Sequence, residues 1–252
     1  MSYTTEQLQE FARLLKKAKR IACLTGAGMS TESGIPDYRS SNGLYNTLTS
    51  EEVFDIDAFK ENPERFYKVI GPLYSSIVEA QPNAGHLALH ALEENFGKNI
   101  SIATQNIDGL HQKAGSKKVY EVHGTMSSLT CQKCGINDTA TVHLDEFKQG
   151  KPLQCKCGGI FKPDITFYGE MLPEEAYVSA LQAFRKCDLA IVLGTSLVVY
   201  PAAALPSYRP SNVPLVIINK SKTSMDDEAA LVFNASIGEI MTETLKLLSS
   251  ES

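Results

Sequence analysis

The stretch IACLTGAGMSTESGIPDYR (residues 21–39) decides the fold class. Its first five residues are apolar or β-branched with no alternation, the pattern of a strand buried on both faces. The run ends directly in Gly26-Ala27-Gly28, whose glycines let a backbone approach a diphosphate at a helix N-terminus. The third glycine of the usual dinucleotide fingerprint is missing, because Thr31 stands there. Working outward, strand-length apolar runs recur at ISIAT (100–104), LAIVL (189–193) and PLVIIN (214–219). Helical spacing of apolar residues covers 5–19, 84–95, 173–186 and 237–248. Strands alternating with helices predict an α/β fold, a parallel sheet with helices on both faces. Two stretches break the rhythm, about 37–81 and about 124–164, and read as insertions into one discontinuous domain.

A chain of 252 residues has room for one large domain carrying such insertions. With 17 glycines and 11 prolines it is neither collagen-like nor of low complexity. No apolar run approaches the roughly 20 residues that span a bilayer. The opening MSYTTEQLQEFARLLKKAKR is amphipathic rather than an apolar signal core. A net charge of −5 argues against nonspecific nucleic-acid binding. The expectation is a soluble cytoplasmic protein with neither membrane nor direct nucleic-acid partners.

Four of the six cysteines form two close pairs, Cys131 and Cys134 as C-x-x-C and Cys155 and Cys157 as C-x-C. Without a secretion signal, disulfides are the weaker reading. Two such pairs about 20 residues apart suit four thiolates around one tetrahedral zinc. Cys134-Gly135 and Cys157-Gly158-Gly159 supply turn residues for the two knuckles. The segment between them is polar, so a metal is expected to replace a missing core. Four thiolates leave no open position, which makes the zinc structural. A redox pair or surface thiols are the alternative.

In an open parallel sheet, ligands bind at the carboxyl ends of the strands. Those ends carry GAGMS, QNIDGLH, GTS and NKS here. The turn Gly194-Thr195-Ser196 is a second phosphate-compatible loop. Asn219 is a candidate ribose ligand or a plain turn residue. Gln105, Asn106 and Asp108 offer polar groups in four positions, with helix capping the alternative for Asp108. Of the five histidines, His86 and His90 are one helical turn apart and read as structural. His123 follows the short run VYEV, and its place at an element's end facing a crevice makes it a candidate general base.

Together, GAGMSTESGIPDYR (26–39), TQNIDGLH (104–111), HG (123–124), the four cysteines, KPDITFYGE (162–170), GTSL (194–197) and IINK (217–220) resemble the sirtuins, NAD-dependent protein lysine deacylases. The resemblance implies a Rossmann-type NAD-binding domain over 1–36, 84–122 and 165–252, a cofactor loop and helical module over 37–83, and a zinc-binding module over 123–164. It places Gly26, Ala27, Gly28, Ser30 and Thr31 at the diphosphate and ribose, and Asp37, Tyr38 and Arg39 in a loop over the nicotinamide. Gln105, Asn106, Ile107 and Asp108 would form the nicotinamide and ribose pocket. Gly194, Thr195, Ser196, Asn219, Lys220 and Ile237 would serve the adenosine half. His123, Asn106 and Asp108 become the catalytic set, and Thr166, Phe167, Tyr168 and Gly169 the strand that an acyl-lysine peptide joins.

In the implied reaction the acyl-lysine oxygen attacks the ribose carbon as nicotinamide leaves, and His123 later takes a proton from a ribose hydroxyl. The products are nicotinamide, the deacylated lysine and an O-acyl-ADP-ribose. Valine is common in the family where Thr166 stands, and phenylalanine where Tyr38 and Tyr168 stand. Members that favour acidic acyl groups carry a Tyr-x-x-Arg pair, whereas the corresponding stretch here, Phe66 to Ile70, places Ile70 at the arginine position. A carboxylate-bearing acyl group would then be buried unpaired, so acetyl or longer apolar groups are expected. Transfer of ADP-ribose to a protein from the same site is the alternative activity. A nicotinamide oxidoreductase leaves the cysteine insertion unexplained, and a noncatalytic reader leaves Asn106, Asp108 and His123 without a task.

Overall fold

A computed structural model of the chain describes residues 3–37 and 53–250. Among these residues the strands are β1 (Arg20–Thr25), β2 (Asn99–Thr104), β3 (Val119–Glu121), β4 (Gly124–Cys131), β5 (Asn137–Thr139), β6 (Phe161–Ile165), β7 (Leu189–Leu193), β8 (Leu215–Ile218) and β9 (Leu231–Phe233). The α-helices are α1 (Thr5–Lys17), α2 (Ile56–Glu61), α3 (Pro63–Glu79), α4 (Ala84–Glu94), α5 (Leu110–Lys113), α6 (Leu144–Lys148), α7 (Glu174–Lys186) and α8 (Ile237–Ser250).

Six strands form a parallel sheet in the order β3-β2-β1-β7-β8-β9. Strands β7 and β8 are buried at every position, and β1 at all but its first. That is why each reads as an unbroken apolar run: both faces are covered. One face packs on α1, α4 and α8 through residues such as Phe11, Leu15, Leu89 and Ile240, all 0% exposed. The other face packs on α7 and the 3-10 segment Ala202–Tyr208, through Phe184 and Leu205. Helix α1 starts where Thr4 and Gln7 cap one another reciprocally, a device worth about 1 kcal/mol. The chain grows from β1 outward through β2 and β3, then returns to β7 on the other flank of β1. The topological switch point therefore lies between β1 and β7, where Thr25 is in register with Leu193.

A second, antiparallel sheet has the order β5-β4-β6. Its apolar residues Met126, Leu129 and Phe161, with Phe147 of α6, share one core with Ile56, Phe59, Phe66, Tyr67 and Tyr74 of α2 and α3. The Tyr74 and Phe147 rings stack with centroids 4.1 Å apart, and Tyr67 Oη donates to the Phe161 carbonyl at 2.6 Å. The cysteine segment thus shares a core with the helical module, where the sequence led to the expectation that a metal replaces one. Its apolar residues are too scattered to read as periodic, but they are buried against helices from 56–79. No helix among the described residues is long and apolar enough to cross a membrane.

Candidate active site

The turn after β1 and the turn after β7 lie against each other. Gly28 N donates to the Gly194 carbonyl at 2.9 Å, and Gly26 N to the Leu193 carbonyl at 3.0 Å. No room exists there for side chains: a Cβ at Gly194, whose φ is +64°, would lie 2.3 Å from Met29 N, and one at Gly28 would lie 2.8 Å from the Gly194 Cα. Gly194→Ala is expected to weaken dinucleotide binding at least tenfold, because it must both force apart two backbone segments and strain its own φ. Calorimetric titration with NAD checks this, and unchanged affinity would contradict it.

Beyond β1 the structure differs from the sequence expectation of a helix N-terminus. Two 3-10 turns, Ala27–Met29 and Thr31–Ser33, follow instead, closed by Gly34 in the left-handed region. With Thr31 in place of a third glycine and Pro36 shortly after, no α-helix continues the turn. The N–H groups of Gly26, Gly28, Met29 and Ser30 are bonded within the protein, so the loop offers a ligand close backbone approach rather than a helix dipole.

A cavity of about 1220 Å³ opens over these turns. It exceeds the roughly 300–1,000 Å³ of ordinary small-ligand pockets, leaving room for a dinucleotide and a second substrate. Ala27, Gly28, Thr31 and Asp37 line it from the first loop, and Gly194, Thr195 and Ser196 from the loop after β7. Asn219, Lys220 and Ile237 line the same end. Asn219 Nδ2 donates to the Ser221 carbonyl at 2.7 Å, so its side chain also holds its own turn. Gln105, Asn106, Ile107 and His123 line the same cavity, as do Thr166, Phe167, Tyr168 and Gly169. Gly26, Ser30 and Asp108 do not line it. Tyr38 and Arg39 lie outside the described residues.

Ser30 and Asp108 act from behind the wall. Asn106 Nδ2 donates to the Gly26 carbonyl and to Ser30 Oγ, each at 3.0 Å. Both amide protons are thereby committed, which leaves Oδ1, an acceptor, as the atom Asn106 can offer a ligand. Ser30 Oγ donates to Asp108 Oδ2 at 2.6 Å, and Asp108 Oδ1 accepts the Leu110 backbone N–H at 2.9 Å. Burial pushes the Asp108 carboxyl up from its ordinary value, against the pull of the Ser30 and Leu110 hydrogen bonds. Asp108 thus accepts the first N–H of α5 from just outside it, Gly109 being the cap residue, and also anchors the residue that orients Asn106.

His123 Nδ1 lies 3.1 Å from the Gln105 carbonyl. A carbonyl only accepts, so Nδ1 carries the proton and Nε2 is left as the basic nitrogen. Burial pulls the imidazole below its ordinary value, and the bond to Gln105 raises it only in part. His123 also fixes the segment that follows β6, since Thr166 N donates to the His123 carbonyl at 2.8 Å.

The 166–170 segment is held from both sides. Tyr168 N donates to the Phe54 carbonyl at 2.7 Å, and Ile56 N to the Tyr168 carbonyl at 3.1 Å. Behind it Lys162, only 5% exposed, donates to the Ile165 carbonyl and pairs with Glu170 at 2.9 Å. Glu170 in turn accepts the Phe167 backbone N–H at 2.8 Å. Sequence reasoning passed over this ion pair, because nothing in KPDITFYGE marks a lysine as buried. It also passed over an apolar rim to the cavity at Met171, Val178 and Tyr200, since lone exposed apolar residues are common.

The four cysteine sulfurs lie within 4.8 Å of one another. Cys131 Sγ is 3.5 Å from Cys157 Sγ and Cys134 Sγ 3.8 Å from Cys155 Sγ, far beyond an S–S bond. Zn–S bonds of about 2.3 Å in a tetrahedron place sulfurs about 3.8 Å apart, so the donor set fits that metal. Backbone N–H groups of Cys134 and Lys133 pull the Cys131 thiol down to about 6, whereas neighbouring sulfurs and burial push the thiols of Cys134 and Cys155 up. Gly159 is obligatory at this spot, because a Cβ there would sit 2.7 Å from Cys131 Sγ.

Comparison with known proteins follows the same lines. The model of the Sir2 family matches residues 26–201. A Clostridium perfringens protein named NAD-dependent protein deacetylase is 42% identical over 253 residues, an alignment covering 95% of this chain and 99% of that one. A solved structure of a Sir2 protein with a peptide and NAD+ superposes with a TM-score of 0.87 at 38% identity, covering 97% of this chain and 99% of the other. A Sir2 protein bound to a propionylated peptide gives a TM-score of 0.85 at 38% identity, with the same coverage.

Proposed function

From the premise that the chain belongs to the Sir2 family, we propose that it is an NAD-dependent protein lysine deacetylase. It removes acetyl groups, and longer apolar acyl groups, from lysine side chains and releases nicotinamide and O-acyl-ADP-ribose. The observation that carries this reading is one cavity lined by the two glycine loops, Asn106, His123 and the 166–169 segment.

NAD, when bound, supplies an electrophilic ribose carbon with nicotinamide as its leaving group. Ala27, Gly28 and Thr31, with Thr195, Ser196, Asn219 and Lys220, are the residues suited to hold its diphosphate and adenosine portions. Asn106 Oδ1 accepts a hydrogen bond from a sugar hydroxyl, and the Ser30–Asp108 chain keeps that amide from turning over. His123 Nε2 receives a proton from a ribose hydroxyl. With both substrates bound, the cavity walls would keep water from the ribose carbon, so that the acyl-lysine oxygen would meet it instead. In this reading the peptide lies along the 166–169 segment that follows β6 rather than joining a strand there. Cys131, Cys134, Cys155 and Cys157 hold a structural zinc, whose chemistry is confined to fixing the fold of their segment.

We assign NAD binding to 1–36, 84–122 and 165–252, the cofactor loop and helical module to 37–83, and the zinc-binding module to 123–164. A cytoplasmic location and protein rather than nucleic-acid partners accord with the net charge of −5.

Acyl choice follows from the helical module. Tyr67 is fully buried and its hydroxyl is committed to the Phe161 carbonyl. Ile70 faces a small apolar space together with Ile35, Pro36, Ile107 and Met126. Neither residue offers a cation or a hydroxyl to a carboxylate. An acetyl-lysine or propionyl-lysine peptide is expected to exceed its succinyl counterpart in kcat/KM by at least about a hundredfold, the cost of an unpaired buried charge. Equal rates would contradict this account of the acyl site.

The function itself is tested by incubating an acetyl-lysine peptide with the protein, with and without NAD, and weighing the peptide. Loss of one acetyl group only when NAD is present supports the reading. A peptide that gains ADP-ribose instead would favour the transferase alternative.

A further inference from the structure

Two histidines that the reaction does not use are buried together, one of them linked to Asn106 through two threonines. His111 is 1% exposed and His86 is 0% exposed, and their rings are adjacent, with centroids 4.7 Å apart. Their protonation pattern can be worked out from their neighbours. Asn106 N donates to Thr104 Oγ1 at 3.0 Å, and Thr25 Oγ1 donates to the same oxygen at 2.8 Å. The Thr25 proton is thus committed, so His111 Nε2, 3.0 Å from Thr25 Oγ1, must be the donor in that contact. His111 is therefore the Nε2–H tautomer, with a bare Nδ1 that is buried and has no hydrogen-bond partner.

His86 follows the same logic from the other side. Its Nδ1 accepts the Asn83 backbone N–H at 3.4 Å, so its proton sits on Nε2, which is buried and likewise unpartnered. One ring thus presents an unpaired N–H and its neighbour an unpaired lone pair. Burial lowers both imidazoles, His86 to about 4, so both stay uncharged through the neutral range. Asn83 also donates through Nδ2 to the Met29 carbonyl at 2.8 Å and to Ser33 Oγ at 3.0 Å. Hydrogen bonds thus run from His111 through Thr25 and Thr104 to the Asn106 backbone N–H, and ring contact alone joins His111 to His86, whose Nδ1 meets Asn83 at the far end of the glycine loop. A core filled for packing alone would use apolar residues here, because half-satisfied polar groups are costly.

We propose that His111 is a positioning residue which, as its Nε2–H tautomer backed by His86, sets the backbone of Asn106 through Thr25 and Thr104 and so aims the Asn106 amide at the ribose. The inference deepens the deacetylase reading and rests on it for its kinetic consequence. The tautomers rest on the hydrogen bonds alone.

The test pairs two variants with one spectroscopic measurement. His111→Phe keeps a ring of similar bulk and removes the donor; His111→Gln returns an N–H near the position of Nε2. The expected result is a fall in kcat of about tenfold for His111→Phe, with the KM values for NAD and peptide within about twofold of the parent. His111→Gln should recover kcat to within about threefold of the parent. A folded His111→Phe protein with the parent's kcat overturns the proposal, as does a His111→Gln protein that folds but shows no recovery.

Nitrogen-15 NMR of the parent protein reads the histidine tautomers whether or not the variants fold. Nε2–H on both His86 and His111 at pH 7 is expected. Nδ1–H on His111, or a charged His111 ring at that pH, overturns the proposal. If the parent lacked deacetylase activity altogether, the function would fail while the NMR result still decided the tautomers.

Discussion

A His123→Ala variant is expected to lose about 10²–10⁴-fold in kcat for deacetylation, with NAD affinity changed far less. The argument begins with hydrogen bonding. Gln105 fixes the ring through Nδ1 at 3.1 Å, which leaves Nε2 unprotonated and ready to take a proton. Alanine removes the base and nothing in the glycine loops, so dinucleotide binding persists. The pH dependence carries a sign that can be worked out. A base acts in its neutral form, and burial holds the folded-state pKa of His123 below the ordinary 6.5. Activity should therefore persist as pH falls through 6.5 and decline only below it, as the ring charges. A kcat/KM profile in the parent that falls away already above pH 7, or a His123→Ala variant with parental kcat, would contradict this assignment.

Removal of the metal is expected to have an effect as large by a different route. Structural zinc sites contribute on the order of 10–16 kcal/mol of apparent binding energy in small peptides, because the unfolded chain has no preformed site. Here Cys131 ends β4, Cys134 lies in the turn from β4 to β5, and Cys155 and Cys157 precede β6. Strand β4 begins immediately after His123, and β6 runs directly into Thr166, whose N–H is bonded to the His123 carbonyl. Losing the small sheet should thus displace the base and the peptide-binding segment together. A strong chelator, or Cys131→Ser, is expected to abolish deacetylation by more than a hundredfold and to shift the thermal midpoint down. NAD binding on the β1–β7 side should survive better than catalysis. Metal analysis of the purified protein, followed by activity after chelation, provides the check. Full activity in a protein shown to be metal-free would contradict it.

What the sequence discloses depends on whether an interaction has a local signature. The runs at 21–25, 100–104 and 189–193 were legible because a strand covered on both faces must be apolar at nearly every position. Strand β9 was not, since Leu231–Phe233 is only three residues long and so short a run has no measurable period. The glycines of the first loop were legible as a backbone approach, but the α-helix expected after them is two 3-10 turns. Thr31 and Pro36 were visible clues to that outcome. The shared core of 53–80 and 126–165 was illegible, because Phe147 and Tyr74 come together only through long-range packing. The same holds within the site. Asn106, Asp108 and Ser30 were each nameable, but that both protons of the Asn106 amide are already committed follows only from three-dimensional hydrogen bonding.

The most direct measurement of the central claim is a stoichiometry. An acetyl-lysine peptide is treated with the protein and NAD, and nicotinamide, O-acetyl-ADP-ribose and freed lysine are quantified together by mass spectrometry. The account predicts that the three appear in equal amounts, and that none forms when NAD is left out. Free acetate released without nicotinamide, or nicotinamide released with the peptide still acetylated, would contradict it.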